Sequence, residues 1–203
     1  MDGILADEEL NRRLELYLKL LVRWQGKINL VSPSTLVHSR TRHFADSTQV
    51  LRLVPRARRW IDMGSGAGFP GLVTAIQLAA CSDSVVHLIE SDQRKCAFLR
   101  EVSRETGAKA IIHNGRIEDV LVEINGKIDA ISARALAPLP HLIDLAQDVL
   151  LKGATGVFLK GQDVALELTG YATDSRFTLQ LVPSATDIRA KVVLVRATGY
   201  GNN

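Results

Sequence analysis

The sequence predicts an α/β fold, a mostly parallel sheet with helices on both faces, plus an N-terminal helical extension. Three observations carry the prediction. Trp60-Ile61-Asp62-Met63 is a short apolar strand that runs into Gly64-Ser65-Gly66-Ala67-Gly68-Phe69-Pro70-Gly71 and then into the apolar segment Leu72–Ala80, the order strand, glycine turn, helix. After it, short β-branched runs alternate with segments of helical period. Before it, Leu10, Leu14, Tyr17, Leu18 and Leu21 fall at the three-to-four spacing of an amphipathic helix over Glu8–Gln25.

With 203 residues, 46% of them hydrophobic, the chain can bury one sizeable core and carry a short extension. The expected division is a basic helical extension over 1–57, a domain over 58–198 and a tail over 199–203. No apolar window of about 18 residues occurs, and Met1–Glu8 has no basic segment ahead of an apolar one, so neither a membrane span nor a signal peptide is read. A cytoplasmic location is expected. Cys81 and Cys96 have no second ligand pair nearby, which argues against a disulfide framework or a structural zinc.

Taken in order, the first helix breaks at Gln25-Gly26-Lys27, and a second is expected from about Ser34 to Val54, through His38, Arg40, Arg42, His43 and Asp46. Pro55 and the cluster Arg56, Arg58, Arg59 lead into the first strand. Charge is uneven. Residues 1–60 hold 11 Lys and Arg against 6 Asp and Glu, net +5, whereas residues 61–203 hold 14 against 16, net −2, within the overall +3. A basic appendage on a neutral body fits a polyanion partner; a solvated basic face has the same composition.

In the glycine turn, positions 64, 66 and 68 let the backbone approach a ligand closely, and Pro70 is placed in the first turn of the next helix, whose free N–H groups suit polar or anionic atoms. Read from Gly66, the run satisfies the dinucleotide pattern GxGxxG. Read from Asp62 it is D-x-G-x-G-x-G, which resembles the first motif of the class I S-adenosylmethionine-dependent methyltransferases. A carboxylate at position 62 repels a pyrophosphate but can face the ammonium end of S-adenosylmethionine. Ser84–Glu90 is the second strand, and Glu90 stands where nucleotide-binding βαβ units put the acid that accepts both ribose hydroxyls. That acid serves NAD and S-adenosylmethionine equally.

Helix Asp92–Thr106 turns Phe98, Leu99 and Val102 inward, and Ala108–His113 is a third strand followed by Gly115-Arg116-Ile117-Glu118. Ile128–Ser132 is the fourth strand, His141–Leu151 a helix and Val157–Leu159 the fifth strand. Arg176–Val182 and Ile188–Arg196 close the chain as an antiparallel pair, making seven strands. Ser132, Arg134 and Lys160 lie at strand ends, the rim where doubly wound sheets bind ligands.

Trp24 with Asn29-Leu30-Val31, Arg42-His43-Phe44-Ala45-Asp46-Ser47, the whole of Asp62–Gly71, the element around Arg116-Ile117-Glu118, Ser132-Ala133-Arg134-Ala135 and Lys160-Gly161 stand in the same order as one known set of signatures. Together they resemble the bacterial 16S rRNA guanine-N7 methyltransferase family, small-subunit methyltransferase G, also called glucose-inhibited division protein B, over roughly Trp24 to Lys160. The resemblance implies a Rossmann-like class I methyltransferase with a seven-stranded sheet, S-adenosylmethionine as cofactor and S-adenosylhomocysteine as product. It implies methylation of guanine N7 in the 530 loop of 16S rRNA, with 16S rRNA or the small ribosomal subunit as partner, no metal, and a monomer.

Residues and resemblance together give Asp62, Gly64, Gly66, Gly68, Phe69, Glu90, Ile117, Glu118 and Arg134 as cofactor-binding candidates, the resemblance placing Ile117 and Glu118 at the adenine. Arg42, His43, Asp46, Ser47 and Ser132 are the candidates for positioning the target, and Arg56, Arg58, Arg59 and Lys160 for contacting RNA. Arg134 suits the cofactor or an RNA phosphate equally. Guanine N7 bears an unprotonated lone pair, so an in-line methyl transfer needs neither general base nor metal and rests on alignment. His38, His43, His87, His113 and His141 are scattered and read as surface or packing residues. The competing readings are a methyltransferase of the same fold acting on a small molecule or protein, an NAD-dependent oxidoreductase, and a non-enzymatic RNA-binding protein with a nucleoside pocket.

Overall fold

Period-two alternation decides the layering: along strand β1 (Arg59–Met63), Trp60 packs to one side of the sheet and Ile61 and Met63 to the other. A computed structural model describes residues 2–32, 43–169 and 175–199. The remaining strands are β2 (Val85–Glu90), β3 (Ala110–Asn114), β4 (Ala130–Arg134), β5 (Thr155–Lys160), β6 (Phe177–Pro183) and β7 (Lys191–Ala197). They form one sheet in the order β3-β2-β1-β4-β5-β7-β6, with β1 to β5 parallel and β7 antiparallel to both β5 and β6. The seven strands and the closing antiparallel pair match the expectation, with ends shifted by one to three residues.

One face buries Trp60, Leu72, Val86, Leu88, Phe98 and Leu99 beneath helices α1 (Asp2–Gln25), α3 (Gly71–Gln77) and α4 (Gln93–Thr106). The opposite face buries Ile61, Met63, Ile131, Phe158 and Val193 beneath α5 (Ile117–Glu123), α6 (Leu139–Leu151) and α7 (Val164–Thr169). Asp92 precedes α4 instead of opening it: its carboxylate accepts the Arg94 and Lys95 N–H groups at 2.8 and 3.2 Å, a helix cap.

Three local expectations change. Helix α1 begins at Asp2 rather than Glu8, because Ile4, Leu5 and Ala6 extend a helix-compatible run that the apolar period alone does not mark. Helix α2 runs over Ala45–Leu53 after a π-type turn at His43 and Phe44, while Ser34 to Arg42 of the expected second helix lie outside the described residues. Pro70 stands just before α3, not in its first turn, and follows Phe69 through a cis peptide bond.

The extension is continuous with the core. Tyr17 and Leu21 of α1 are fully buried, the Tyr17 hydroxyl donates to the Ala67 carbonyl of the glycine turn, and Trp24 Nε1 donates to Glu101 of α4 at 2.6 Å. Three of its arginines are engaged: Arg12 and Arg13 hold Glu9, and Arg23 holds Glu101. Two of the histidines read as scattered are in fact brought together, His87 Nδ1 lying 2.9 Å from His113 Nε2 across adjacent strands. Burial, then the neighbouring His113, pushes His87 down to about 4. Cys81 and Cys96 are unpaired, Cys96 being buried. Among the described residues no helix is long and apolar enough to cross a membrane.

Candidate active site

Between β1 and β4 the chain changes direction of winding, and there the carboxyl ends of the parallel strands open into a cavity of about 590 Å³. Gly64 to Ala67, Glu90, Ile117, Arg134 and His141 form much of its wall. Gly66 has φ +54°, and a Cβ added to it would meet nothing nearer than the Gly64 carbonyl oxygen at 3.8 Å; its flank is open for a ligand to approach the backbone. Glu90 ends β2 on the same wall. Its Oε2 accepts the Gly66 N–H and its Oε1 the Asp92 N–H, both at 2.8 Å. The glycine turn and the acid thus fix each other, and each carboxylate oxygen keeps lone-pair capacity for a hydroxyl donor. Ile117 supplies a half-buried apolar wall, with Glu118 beside it.

Three residues expected to face the cofactor or target stand beneath the wall instead. Asp62 is 1% exposed; Ser132, its register partner on β4, donates to Asp62 Oδ1 at 2.6 Å and accepts from Trp60 Nε1 at 2.9 Å. Asp62 also backs onto Gly71, where an added Cβ would collide with the Asp62 side chain, so the acid sits under α3 rather than toward an ammonium group. Burial pushes its carboxyl up to about 6, against the lowering effect of the Ser132 hydrogen bond. Gly68 also turns inward: a Cβ on it would stand 2.5 Å from the Tyr17 hydroxyl and 2.9 Å from Leu72 Cβ. Its absence of side chain serves packing against α1.

Of the target-positioning candidates, His43 lines the cavity and lies 5.1 Å from Phe69, ring centroid to centroid, and Phe69 shares that wall. Ser47 is fully buried and spends its hydroxyl on the His43 carbonyl at 2.6 Å. Arg42 lies outside the described residues. Asp46 is buried, its Oδ2 4.0 Å from Arg134. Lys160, expected to await a phosphate, is turned into the fold: Nζ donates to the Ala137 carbonyl and meets Glu167 Oε2, both at 2.8 Å.

Arg56, Arg58 and Arg59 occupy the opposite rim. They precede or open β1, so parallel pairing puts them at the amino ends of the strands, a whole strand length from the cavity. The Arg58 guanidinium donates to the Pro55 and Ala57 carbonyls and Arg59 Nε to Lys127 O. Strand direction, legible in the sequence, already carried that information.

The cavity also uses residues that the sequence did not mark as site candidates: Leu30, Val31 and Ala135, which stand there only within motifs, Lys95 in the first turn of α4, and His141, read as a surface or packing residue. Ala135 has φ +50°, among the described residues the single non-glycine with positive φ, a strained conformation of the kind that gathers at functional sites. Among the described residues no three His, Cys, Asp or Glu side chains cluster as metal ligands.

Comparison with known proteins bears on the family and the fold. The family model described as rRNA small subunit methyltransferase G, GidB, matches residues 10–191. Ribosomal RNA small subunit methyltransferase G of Methylorubrum populi is 48% identical over 190 residues, covering 94% of this chain and 90% of that protein. Its namesake in a Bradyrhizobium species is 50% identical over 164 residues, 81% of this chain and 74% of that protein. Among solved structures, cofactor-bound Rv0187 from MTB is similar in fold, with a TM-score of 0.67 at 15% identity over 94% of this chain and 91% of that one. On a family match that spans most of its length and on relatives near half identity, the chain belongs to the rRNA small subunit methyltransferase G family.

Proposed function

We propose that this chain transfers a methyl group from S-adenosylmethionine to N7 of a guanine in the 530 loop of 16S rRNA. The observation that carries the reading is the carboxyl-rim cavity, where an open glycine turn, a strand-end acid and an apolar wall stand together. These residues fit the cofactor: the open flank of Gly66 admits it, Glu90 takes ribose hydroxyls, and Ile117 with Glu118 borders the adenine. Bound there, S-adenosylmethionine supplies an electrophilic methyl group on a sulfonium centre.

The residues of the chain act by placement. Guanine N7 has no proton to lose, so no side chain has to serve as a base, and alignment of two bound reactants is worth about 7–11 kcal/mol of barrier. His43 and Arg134 at the wall, and Arg42 in the same motif as His43, are the positioning residues in this reading. The target base must leave its stack to reach the cavity. Its phosphates then follow the carboxyl rim, where Lys27, Arg94 and Lys95 surround a hollow that shares Lys95 with the cofactor cavity. They are better placed for RNA than Arg56, Arg58 and Arg59. The enzyme acts as a cytoplasmic monomer without a metal.

The test is incubation of the protein with labelled S-adenosylmethionine and small subunits from cells that lack the modification, followed by mapping of the label. The expected result is N7-methylguanine in the 530 loop. Label at another base or on protein would contradict it.

A further inference from the structure

A second cavity, of about 260 Å³, adjoins the first and shares Arg134 and Ala135 with it. It lies at the carboxyl ends of β4 and β5, and the turn between β6 and β7 forms one of its walls. That turn reaches across to α2: Ser184 Oγ and Thr186 Oγ1 each donate to Asp46 Oδ1 at 2.7 Å, and Ala185 N donates to Gln49 Oε1 at 2.8 Å. Two hydroxyls on one oxygen lock the Asp46 carboxylate in orientation, with Oδ2 at the border with Arg134.

The charges around this cavity are not equivalent. Glu167 is taken by Lys160 at 2.8 Å, and Asp187 by Arg189 at 3.2 Å. Asp46 Oδ1 is occupied by the two hydroxyls, while its Oδ2 stands 4.0 Å from Arg134, beyond hydrogen-bond distance, and with the exposed Asp163 at the mouth offers the acceptor for a ligand. A flat, uncharged ligand that presents adjacent N–H donors suits such a wall, and guanine does so on its Watson–Crick edge through N1–H and the 2-amino group. N7 lies on the opposite edge of the ring. A guanine whose donor edge faces Asp46 therefore turns N7 away from the acid and back toward the shared border with the cofactor cavity.

We propose that this second cavity seats the target guanine and that Asp46, oriented by Ser184 and Thr186, is the specificity-determining residue that reads its Watson–Crick edge. The proposal rests on the methyltransferase reading above. It makes Ser184 and Thr186 positioning residues: they act through Asp46 and do not touch the base.

The test uses small subunits reconstituted with 16S rRNA that carries either guanosine or inosine at the methylated position. Inosine keeps N7 but lacks the 2-amino donor. With the wild-type protein, kcat/KM should fall roughly 10- to 100-fold for inosine, the range that one hydrogen bond to a charged acceptor is worth. Asp46→Asn should methylate guanosine as poorly as inosine, so that the ratio of the two collapses toward one while S-adenosylhomocysteine affinity is retained. Ser184→Ala with Thr186→Ala, which leaves the acid in place, should give an intermediate ratio and serves if Asp46→Asn does not fold. Unaltered discrimination in both variants, with cofactor affinity intact, overturns the proposal alone. Failure of the wild-type protein to methylate guanosine at all overturns the underlying reading and the proposal with it.

Discussion

The two rims of the sheet use the same kinds of side chain for opposite ends. At the amino rim, Asp129 Oδ2 accepts the Arg58 and Arg59 N–H groups at 2.9 and 3.0 Å, and both arginines donate to backbone carbonyls, so the charges close onto the chain that carries them. At the carboxyl rim, Glu90 holds its loop in the same way but faces a cavity, and Arg134 borders two. Position relative to strand direction, more than charge, separates a structural residue from one that meets a ligand.

The sharpest way to break this comparison is to fill the carboxyl rim. Gly66→Asp puts a side chain and a charge into the open flank, and S-adenosylhomocysteine affinity should drop by roughly 1,000-fold, about 4 kcal/mol, while the strain of a side chain at φ +54° should lower the melting temperature by only a few degrees. Calorimetric titration and a thermal melt of the same sample check both halves.

Two aspartates sharpen it next. Asp62 beneath the glycine turn has its pKa raised from 3.8 to about 6 by burial. The native state therefore binds this proton more tightly than the unfolded chain, and stability falls as pH rises from about 4 to about 6, by about 3 kcal/mol in all, then levels. Urea unfolding of the wild-type protein and Asp62→Asn from pH 4 to pH 8 should show the variant gaining on the wild type across that window. Parallel curves would mean that the Asp62 carboxyl titrates alike in the folded and the unfolded chain and that burial does not raise it.

Glu90→Ala should weaken S-adenosylhomocysteine by about 1.5–3 kcal/mol, the scale of hydrogen bonds to a charged acceptor. Asp129→Ala at the other rim should cost about 1–3 kcal/mol of folding stability, because two backbone N–H groups lose their acceptor, and leave cofactor affinity alone. If the two substitutions gave the same profile, the distinction between the rims would fail.

How much of this was legible in the sequence follows the same division. Glu90 and Gly66 could be placed because one ends a strand and the other stands in the turn after a strand, and the doubly wound plan sends those positions to one rim, whereas Ile117, the first residue of α5, was placed by the resemblance. Asp62, Ser132 and Gly68 carry the right residue types in the right motif, yet side chains alternate along a strand, and the two strand residues point beneath α3 while Gly68 packs on Tyr17. The contact between Asp46 and the Ser184–Thr186 turn joins segments far apart in sequence, as does the His87–His113 pair, and no local pattern announces either. The net charge of residues 1–60 was real, but composition does not say that Arg12, Arg13 and Arg23 pair with glutamates or that Arg58 and Arg59 donate to carbonyls.

The smallest expected effect concerns those arginines. Neutralising Arg56, Arg58 and Arg59 together should leave the salt dependence of small-subunit binding unmoved, whereas neutralising Lys27, Arg94 and Lys95 should flatten it by about 0.7–0.9 for every phosphate no longer neutralised. Equal slopes for the two triples would place RNA on both rims.

The central claim is that the carboxyl-rim cavity is the S-adenosylmethionine site, and titration of S-adenosylhomocysteine and of NAD into the wild-type protein and Gly66→Asp tests it most directly. The account predicts binding of S-adenosylhomocysteine by the wild-type protein, no binding of NAD, and loss of the S-adenosylhomocysteine signal in a variant that still unfolds in one cooperative transition. Binding of NAD without S-adenosylhomocysteine, or a folded Gly66→Asp protein that binds S-adenosylhomocysteine as tightly as the wild type, would contradict it.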